Sequence, residues 1–482
     1  MPEEKAEVGI TVKKADDFSE WYTQVIQKAG LIEYSSVSGC MVIRPWAYSI
    51  WEKIQEFFNK ELKKRGVKNA YFPLLIPESL LKKEAAHVEG FSPEVAWVTH
   101  AGDSKLAERL AVRPTSETIM YESYSKWIRS HRDLPLRLNQ WCNVVRWEFK
   151  NPVPFLRTRE FLWQEGHTAW ATQKEAEAEV YDILDLYKRV FEELYAVPVL
   201  KGKKSEKEKF AGAIFTTSVE AFLPNGKAIQ GATSHCLGQN FAKVFDIKFL
   251  DDNKQSQYVW QNSWGLTTRS IGIMIMMHGD DKGLVLPPRI APVQAVVVPI
   301  FYKDSKGVLE ESRKVKDMLS TMFEVELDDR TEYTPGWKFN EWEMKGVPVR
   351  IEIGPKDVEK SQVVLVRRDT GIKSFVPVTE LKNVLAKTLE EIQQNLFNKA
   401  KKFLDDNIVE TKDWAEFMSA IKNKKMVYSP WCGETECEEW IKDKTDGAKS
   451  LNIPFNLPKK ISDNCPQCGK PAKVWCYFAK SY

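Results

Sequence analysis

This 482-residue sequence has no apolar run long enough to span a bilayer, which takes about 20 residues. Its opening, MPEEKAEVGI, is acidic and lacks the apolar segment of a signal peptide, so no leader and no membrane partner are expected. Cysteine is scarce, eight in all. That number excludes a disulfide scaffold in so long a chain and favours a reduced, cytoplasmic setting. Net charge is small, a formal +3, and neither demands nor excludes nucleic acid. Any such binding would rest on local lysine runs such as 201–209 or 422–425, which are more often plain solvated faces. There is no phosphate loop of the GxxxxGK[ST] type and no GxGxxG turn after a strand. A nucleotide bound here must be held by arginines and rings. Internal repeats and low-complexity tracts are also missing.

What is present is concentrated. In FLRTREFLWQEGH, residues 155–167, Arg157 and Arg159 alternate with Thr158 and Glu160, and Phe161, Trp163 and Glu165 alternate again. Period two is the rhythm of a strand whose faces differ. An amphipathic strand laced with salt bridges would carry that pattern, and so would a sheet floor for a nucleotide and a small cationic molecule. Arg146 in VVRWEFK, Arg157, and Arg269 in GLTTRSIG are guanidiniums able to grip phosphate bidentately or stack on a base.

The length allows about two to four domains. Residues 45–65 read as one helix, with Pro45 in its first turn, Gly66 after its end, and Ile50, Ile54, Phe57, Phe58 and Leu62 at helical spacing. NAYFPLLIP, 69–77, reads as a strand. A helix is expected over 175–195, more strands over 212–264, and GLTTRSIGIMIMMHGD as a loop entering a buried apolar helix. Runs of strands with helices on one side predict an antiparallel sheet in an α+β domain. A proline-rich boundary, LVLPPRIAP, then opens a compact α/β unit with strands at 293–300, 347–353 and 362–367 and helices at 306–322 and from 379. A charged helix near 383–405 leads to a third unit.

That last unit carries Cys432 and Cys437 in CGETEC and Cys465 and Cys468 in CPQC. Two close pairs at this separation are a zinc-site layout of four thiolates, and a redox Cys-x-x-Cys would not need the first pair. A structural Zn²⁺ is expected, with Cys476 near enough to compete as a ligand. Cys40, Cys142 and Cys236 read as ordinary buried thiols.

VRWE, a loop and FLRTREF resemble motif 2 of the class II aminoacyl-tRNA synthetases. The helix and strand ending at Pro77 resemble motif 1, and GLTTR before an apolar helix resembles motif 3. RPTSET, FLWQEGHTA and GATSHCLGQNF are similar to the prolyl-tRNA synthetases of archaeal and eukaryotic type, a resemblance running from about Pro45 to Tyr482. It implies an α+β class II catalytic domain over 1–285, an anticodon-binding α/β domain over 291–395 and a C-terminal zinc-binding domain over 400–482. It also implies an ATP-dependent ligase for L-proline and tRNA(Pro), using Mg²⁺ with ATP and dimerising through motif 1. Another class II synthetase, for threonine, serine or glycine, and a catalytically inactive tRNA-binding paralogue are the alternatives.

Free proline has a carboxylate, a secondary ammonium with two donors, and an apolar ring. Glu117 and Thr115 in TSE can accept from the ammonium, although Thr-x-Glu is also a capping-box pattern and is commoner as one. The resemblance assigns Trp163 and His167 to the ring, and Ser263 to the closure of the proline pocket. Arg146 would join carboxylate to α-phosphate, with Arg157 and Thr158 beside the phosphates. Phe161 and Arg269 would sandwich adenine, and Glu148 would orient the nucleotide. Gln230, Thr233 and His235 would line the ribose and the tRNA terminus, with His235 at the 3′ end. In the second unit, Glu343 would read guanine donors in the anticodon and Arg350 its acceptors or phosphate, unless the two simply pair with each other. About one hundred residues separate motifs 2 and 3, too few for the editing insertion of typical bacterial relatives. Tyr482 is expected to fold back towards the catalytic domain, its carboxylate meeting a cation there.

Overall fold

A computed structural model describes residues 9–85, 94–148, 151–301, 307–457 and 461–482. Seven strands build the central sheet: β1 (Lys68–Asn69), β2 (Leu136–Val145), β3 (Glu160–Trp170), β4 (Leu200–Lys203), β5 (Phe215–Phe222), β6 (Ala228–Gly238) and β7 (Trp260–Thr267). Their spatial order is β1-β2-β3-β7-β6-β5-β4, antiparallel except for the short parallel β1–β2 pair. The expected α+β class is what forms.

Helix α1 (Pro45–Lys64) starts with proline at its first position and buries Ala47, Ile50, Trp51, Ile54, Phe58 and Leu62. Gly66, at φ +74°, turns the chain out of it. Phe57, expected on the buried face, lies at its margin with the Arg189 guanidinium 5.4 Å above its ring. Helix α2 is Glu117–Trp127. Helix α3 (Gln173–Arg189) is opened by a reciprocal Thr172–Glu175 capping box and runs into a wider π-helical turn, Val190–Leu194. Helix α4 (Arg269–His278) is buried from Ser270 through Met277. Side chains of α1, α3 and α4 share one core with Trp264 of the sheet, where Phe58 stacks on Tyr187 at 5.4 Å. Gly166 makes room for that indole: a Cβ there would come within 2.2 Å of Trp264.

Two local readings are corrected. The stretch 69–77 is not one strand: its start is β1, and Leu75–Pro77 joins a separate three-stranded sheet with Trp97–Ala101 and Ser104–Val112. Pro73 has no N–H to continue a ladder, and Phe72 instead donates its N–H to Gln140. GLT in GLTTR is the end of β7 rather than a loop, so Arg269 passes directly from strand into helix.

The second unit holds a five-stranded sheet, β8 (Ala295–Pro299), β9 (Val325–Leu327), β10 (Val349–Ile353), β11 (Gln362–Arg367) and β12 (Lys373–Pro377), in the order β9-β8-β10-β11-β12. Helices α5 (Val308–Leu319), α6 (Pro335–Met344) and α7 (Leu381–Asp406) accompany it. Helix α6 carries Glu343; Thr334 caps its Trp337 N–H at 3.3 Å and Pro335 sits in its first turn. The third unit is a four-stranded sheet closed by Val474–Lys480. It docks on β4 and β5, where buried Lys204 meets Glu220 at 3.0 Å and the Leu451 carbonyl at 2.7 Å. Around it the lysine run stays at the surface, with Lys203 and Lys207 exposed, but it is not a free basic patch. Lys201, Lys207 and Lys209 are paired with Asp185, Glu439 and Glu206. No helix among the described residues is long and apolar enough to cross a membrane.

Candidate active site

Strand register assembles the site. His167 of β3 lies opposite Ser263 of β7, Ser263 opposite His235 of β6, and His235 opposite Thr216 of β5, one row across four strands. A second row runs Gln140, Glu165, Gly265, Thr233. Above them opens a cavity of about 250 Å³. Thr115, Glu117, Arg146, Arg157, Thr158, Phe161, Trp163, His167, Gln230, Thr233, His235, Ser263 and Arg269, all singled out from sequence, line it. Glu148 does not: it is exposed outside the cavity and reaches the site only through its charge, which acts on Arg146. Glu165, Glu208, Phe210, Thr216 and Thr267 line it as well and were not foreseen in that role.

Three guanidiniums line the cavity. Arg146 donates through Nε to the Pro114 carbonyl at 3.1 Å, its guanidinium 5.5 Å from the Phe161 ring and 5.6 Å from Trp163. Arg269 donates to the Leu156 carbonyl at 3.0 Å and to Gln230 O at 3.4 Å. Burial, then the charges of Arg146 and Arg157, push the Arg269 pKa down to about 10. Burial lowers that of Arg146 too, against the nearby carboxylates. Cations crowded in this way are poorly compensated until an anion arrives. Arg157 follows a turn in which Phe155 adopts φ +63°, so FLRTR is a tight bend and the strand begins only at Glu160.

Carboxylates and rings line the cavity as well. Thr115 donates its hydroxyl to Glu117, which is 3% exposed. The capping box does not form: Ser116 is the cap residue, without a side-chain cap bond, and Glu117 is the first residue of α2. His167 bonds Glu165 at 3.0 Å and Tyr121 at 3.1 Å through its two ring nitrogens. The Ser263 hydroxyl is buried without a protein partner. His235 bonds Thr216 at 2.9 Å, and burial followed by the charge of His167 pushes its pKa down to about 3. Its ring is 4.7 Å from that of Phe210.

Two other clusters bear on function. Glu343 and Arg350 line one small cavity with Arg367 and Arg368 but do not pair with each other. Lys282 holds Glu343 at 2.9 Å, whereas Arg350 bonds Glu352 at 2.8 Å and lies 4.1 Å over Phe339. The sulfurs of Cys432, Cys437, Cys465 and Cys468 lie within 4.8 Å of one another, a group compatible with a metal ion. Cys476 is not in the group: its thiol is buried against the Asn452 carbonyl at 3.4 Å. Cys236 is buried as expected, but Cys40 and Cys142 are only partly so. Tyr482 does fold back on the first unit, its N–H meeting Ala228 O at 3.1 Å and its hydroxyl accepting from Asn225 at 2.6 Å.

Comparison with known proteins agrees in each unit. Residues 97–278 match the tRNA synthetase class II core domain (G, H, P, S and T), 294–388 the anticodon binding domain, and 414–482 the prolyl-tRNA synthetase C-terminal domain. The chain is 54% identical over 484 residues to the cytoplasmic proline–tRNA ligase of Arabidopsis thaliana, covering 98% of this chain and 91% of that one. It is 53% identical over 483 residues to the proline–tRNA ligase of Ruminiclostridium cellulolyticum, covering 100% of both. Against the bifunctional glutamate/proline–tRNA ligase of Mus musculus it is 51% identical over 505 residues, 100% of this chain and 33% of that one. Identity of this extent over the whole chain settles the family: the chain is a member of the prolyl-tRNA synthetases.

Proposed function

We propose that this proline–tRNA ligase divides its cavity between the two substrates of adenylate formation. The carrying observation is one cavity lined both by the guanidiniums of Arg146, Arg157 and Arg269 and by the Glu117 carboxylate. Arg146, Arg157 and Arg269 receive ATP, with Phe161 and Arg269 on either face of adenine and Thr158, Gln230 and Thr233 beside phosphate and ribose. Thr115 and Glu117 take the proline ammonium, Trp163 and His167 its ring, and Ser263 closes the pocket. A proline carboxylate oxygen forms a bond to the α-phosphorus while the bond to the β-phosphate oxygen breaks, and pyrophosphate leaves with that electron pair. The attacking carboxylate is already ionised, so no base is required. Alignment and charge stabilisation by Arg146 and Arg157 lower the barrier. Mg²⁺ brought with ATP would neutralise part of the phosphate charge. The 3′-terminal ribose hydroxyl of tRNA(Pro), near His235, then attacks the activated carbonyl and AMP leaves.

Glu343 and Arg350 would meet the anticodon; their shared cavity supports this. Zinc at the four cysteines is supported by the Cys437–Cys465 and Cys432–Cys468 sulfur separations of 3.6 and 3.7 Å. A tetrahedron with Zn–S near 2.3 Å has edges of about 3.8 Å. Homodimerisation through the motif 1 segment is supported by exposed Tyr71, Leu75 and Trp97 beside it. The expected setting is cytoplasmic. Proline-dependent, threonine-independent ATP–pyrophosphate exchange tests the central reading, and its absence in folded protein would overturn it.

A further inference from the structure

The cavity holds two buried carboxylates, and their bonding differs. Glu117 receives the Thr115 hydroxyl and faces the cavity with acceptor capacity to spare. Glu165, 2% exposed, is fully subscribed. Its Oε1 accepts from the Ser116 hydroxyl, from Gln140 Nε2 at 3.0 Å and from the Cys142 thiol at 3.4 Å. Its Oε2 accepts from the Ser116 N–H at 3.2 Å and from His167 Nε2 at 3.0 Å. A carboxylate offers about four lone-pair directions, so nothing remains for a substrate N–H.

These donors are the back of the proline pocket. Ser116 stands between Thr115 and Glu117. His167 is one wall. Cys142 in turn accepts from the Trp163 indole N–H at 3.3 Å, so the other wall reaches the same carboxylate through one thiol. Burial alone would raise the Glu165 carboxyl pKa, yet the bonds from His167, Ser116 and Gln140 hold it below the ordinary range. The anion is therefore present when the pocket is formed.

We infer that Glu165 is the positioning residue of the proline pocket, fixing both ring walls and the Thr115–Glu117 segment in one geometry and thereby setting selectivity for the proline ring. The inference rests on the reading that Thr115, Glu117, Trp163 and His167 take proline. Selectivity between small apolar side chains comes only from fit, so it depends on how firmly the walls are held. Alanine, lacking the ring, gains most when they loosen.

Glu165→Gln presents N–H donors to a ring of donors and separates this role from others. In ATP–pyrophosphate exchange, proline KM should rise about ten- to a hundredfold, the effect of losing one buried charge-assisted bond. ATP KM should stay within about twofold, and preference for proline over alanine should fall about tenfold. A folded variant with unchanged proline KM and selectivity, or with both KM values rising together, overturns the inference. If wild-type protein shows no proline-dependent exchange, the reading of the pocket fails instead. Should Glu165→Gln not fold, Cys142→Ala and Ser116→Ala each cut one tie. Either should raise proline KM about threefold or more at constant ATP KM, and no change in both would refute the role.

Discussion

Replacing Arg146 with alanine separates catalysis from folding in this site. The guanidinium donates through Nε to the Pro114 carbonyl at 3.1 Å and lies 5.5 and 5.6 Å from two ring faces. Losing a bond from a charged donor and a partly desolvated cation–π contact costs about 2–4 kcal/mol. Part of that is returned, because Arg146 is also a source of the repulsion felt by Arg269. Fold stability should therefore fall modestly, with the protein still folded at assay temperature. Catalysis should fall steeply: removing one preorganised charge-stabilising group costs about 3–4 kcal/mol, a hundredfold or more in rate. Arg146→Lys keeps a point charge but loses the planar fork, and should recover about a tenth of the native rate at best. The assay is proline-dependent exchange at saturating ATP, with thermal unfolding measured on the same preparations. Near-normal exchange by a folded Arg146→Ala protein would refute the assignment of Arg146 to phosphate and carboxylate.

Elemental analysis should find about one zinc per chain, lost when Cys465 and Cys468 become serine; metal-free native protein with full activity would remove the site. Two histidines make stability pH-dependent. Burial pushes the pKa of His235 to about 3 and of His278 to about 4, so the unfolded chain takes up protons first as pH falls. Their contribution is complete above about pH 6.5 and declines below it, by about 1–2 kcal/mol for each histidine at pH 5. His278→Gln keeps a donor for the Tyr195 carbonyl, which the histidine meets at 2.7 Å, and should flatten the fall of the unfolding temperature between pH 7.5 and 5; an unaltered slope would contradict this. Alanine should be activated measurably, because it is small enough to enter and each of its two missing methylenes discriminates by only about 1–3 kcal/mol. Purified protein should not hydrolyse Ala-tRNA(Pro), and clear deacylation would contradict the absence of editing in this chain.

Local chemistry was legible because it is written at short range. Pro45 and Gly66 mark the ends of α1, and alternation identifies the strand that carries Phe161, Trp163 and Glu165. The spacing of two cysteine pairs announces a four-sulfur group, and the motif strings name the family. Alternation says which residues share a face, but not which residue of a distant strand stands opposite. That is set by how whole strands dock. Only the register aligns His167, Ser263, His235 and Thr216, residues up to 96 apart if counted from His167 to Ser263. The same docking turns Glu165 from one member of an alternating strand into the acceptor for five donors, and leaves Glu148, in the same motif, outside in water. Sequence determined the kinds of group this protein has and the faces they occupy. Tertiary structure decided which of them meet, because a buried charge is tolerable only where several separate segments bring partners to it at once.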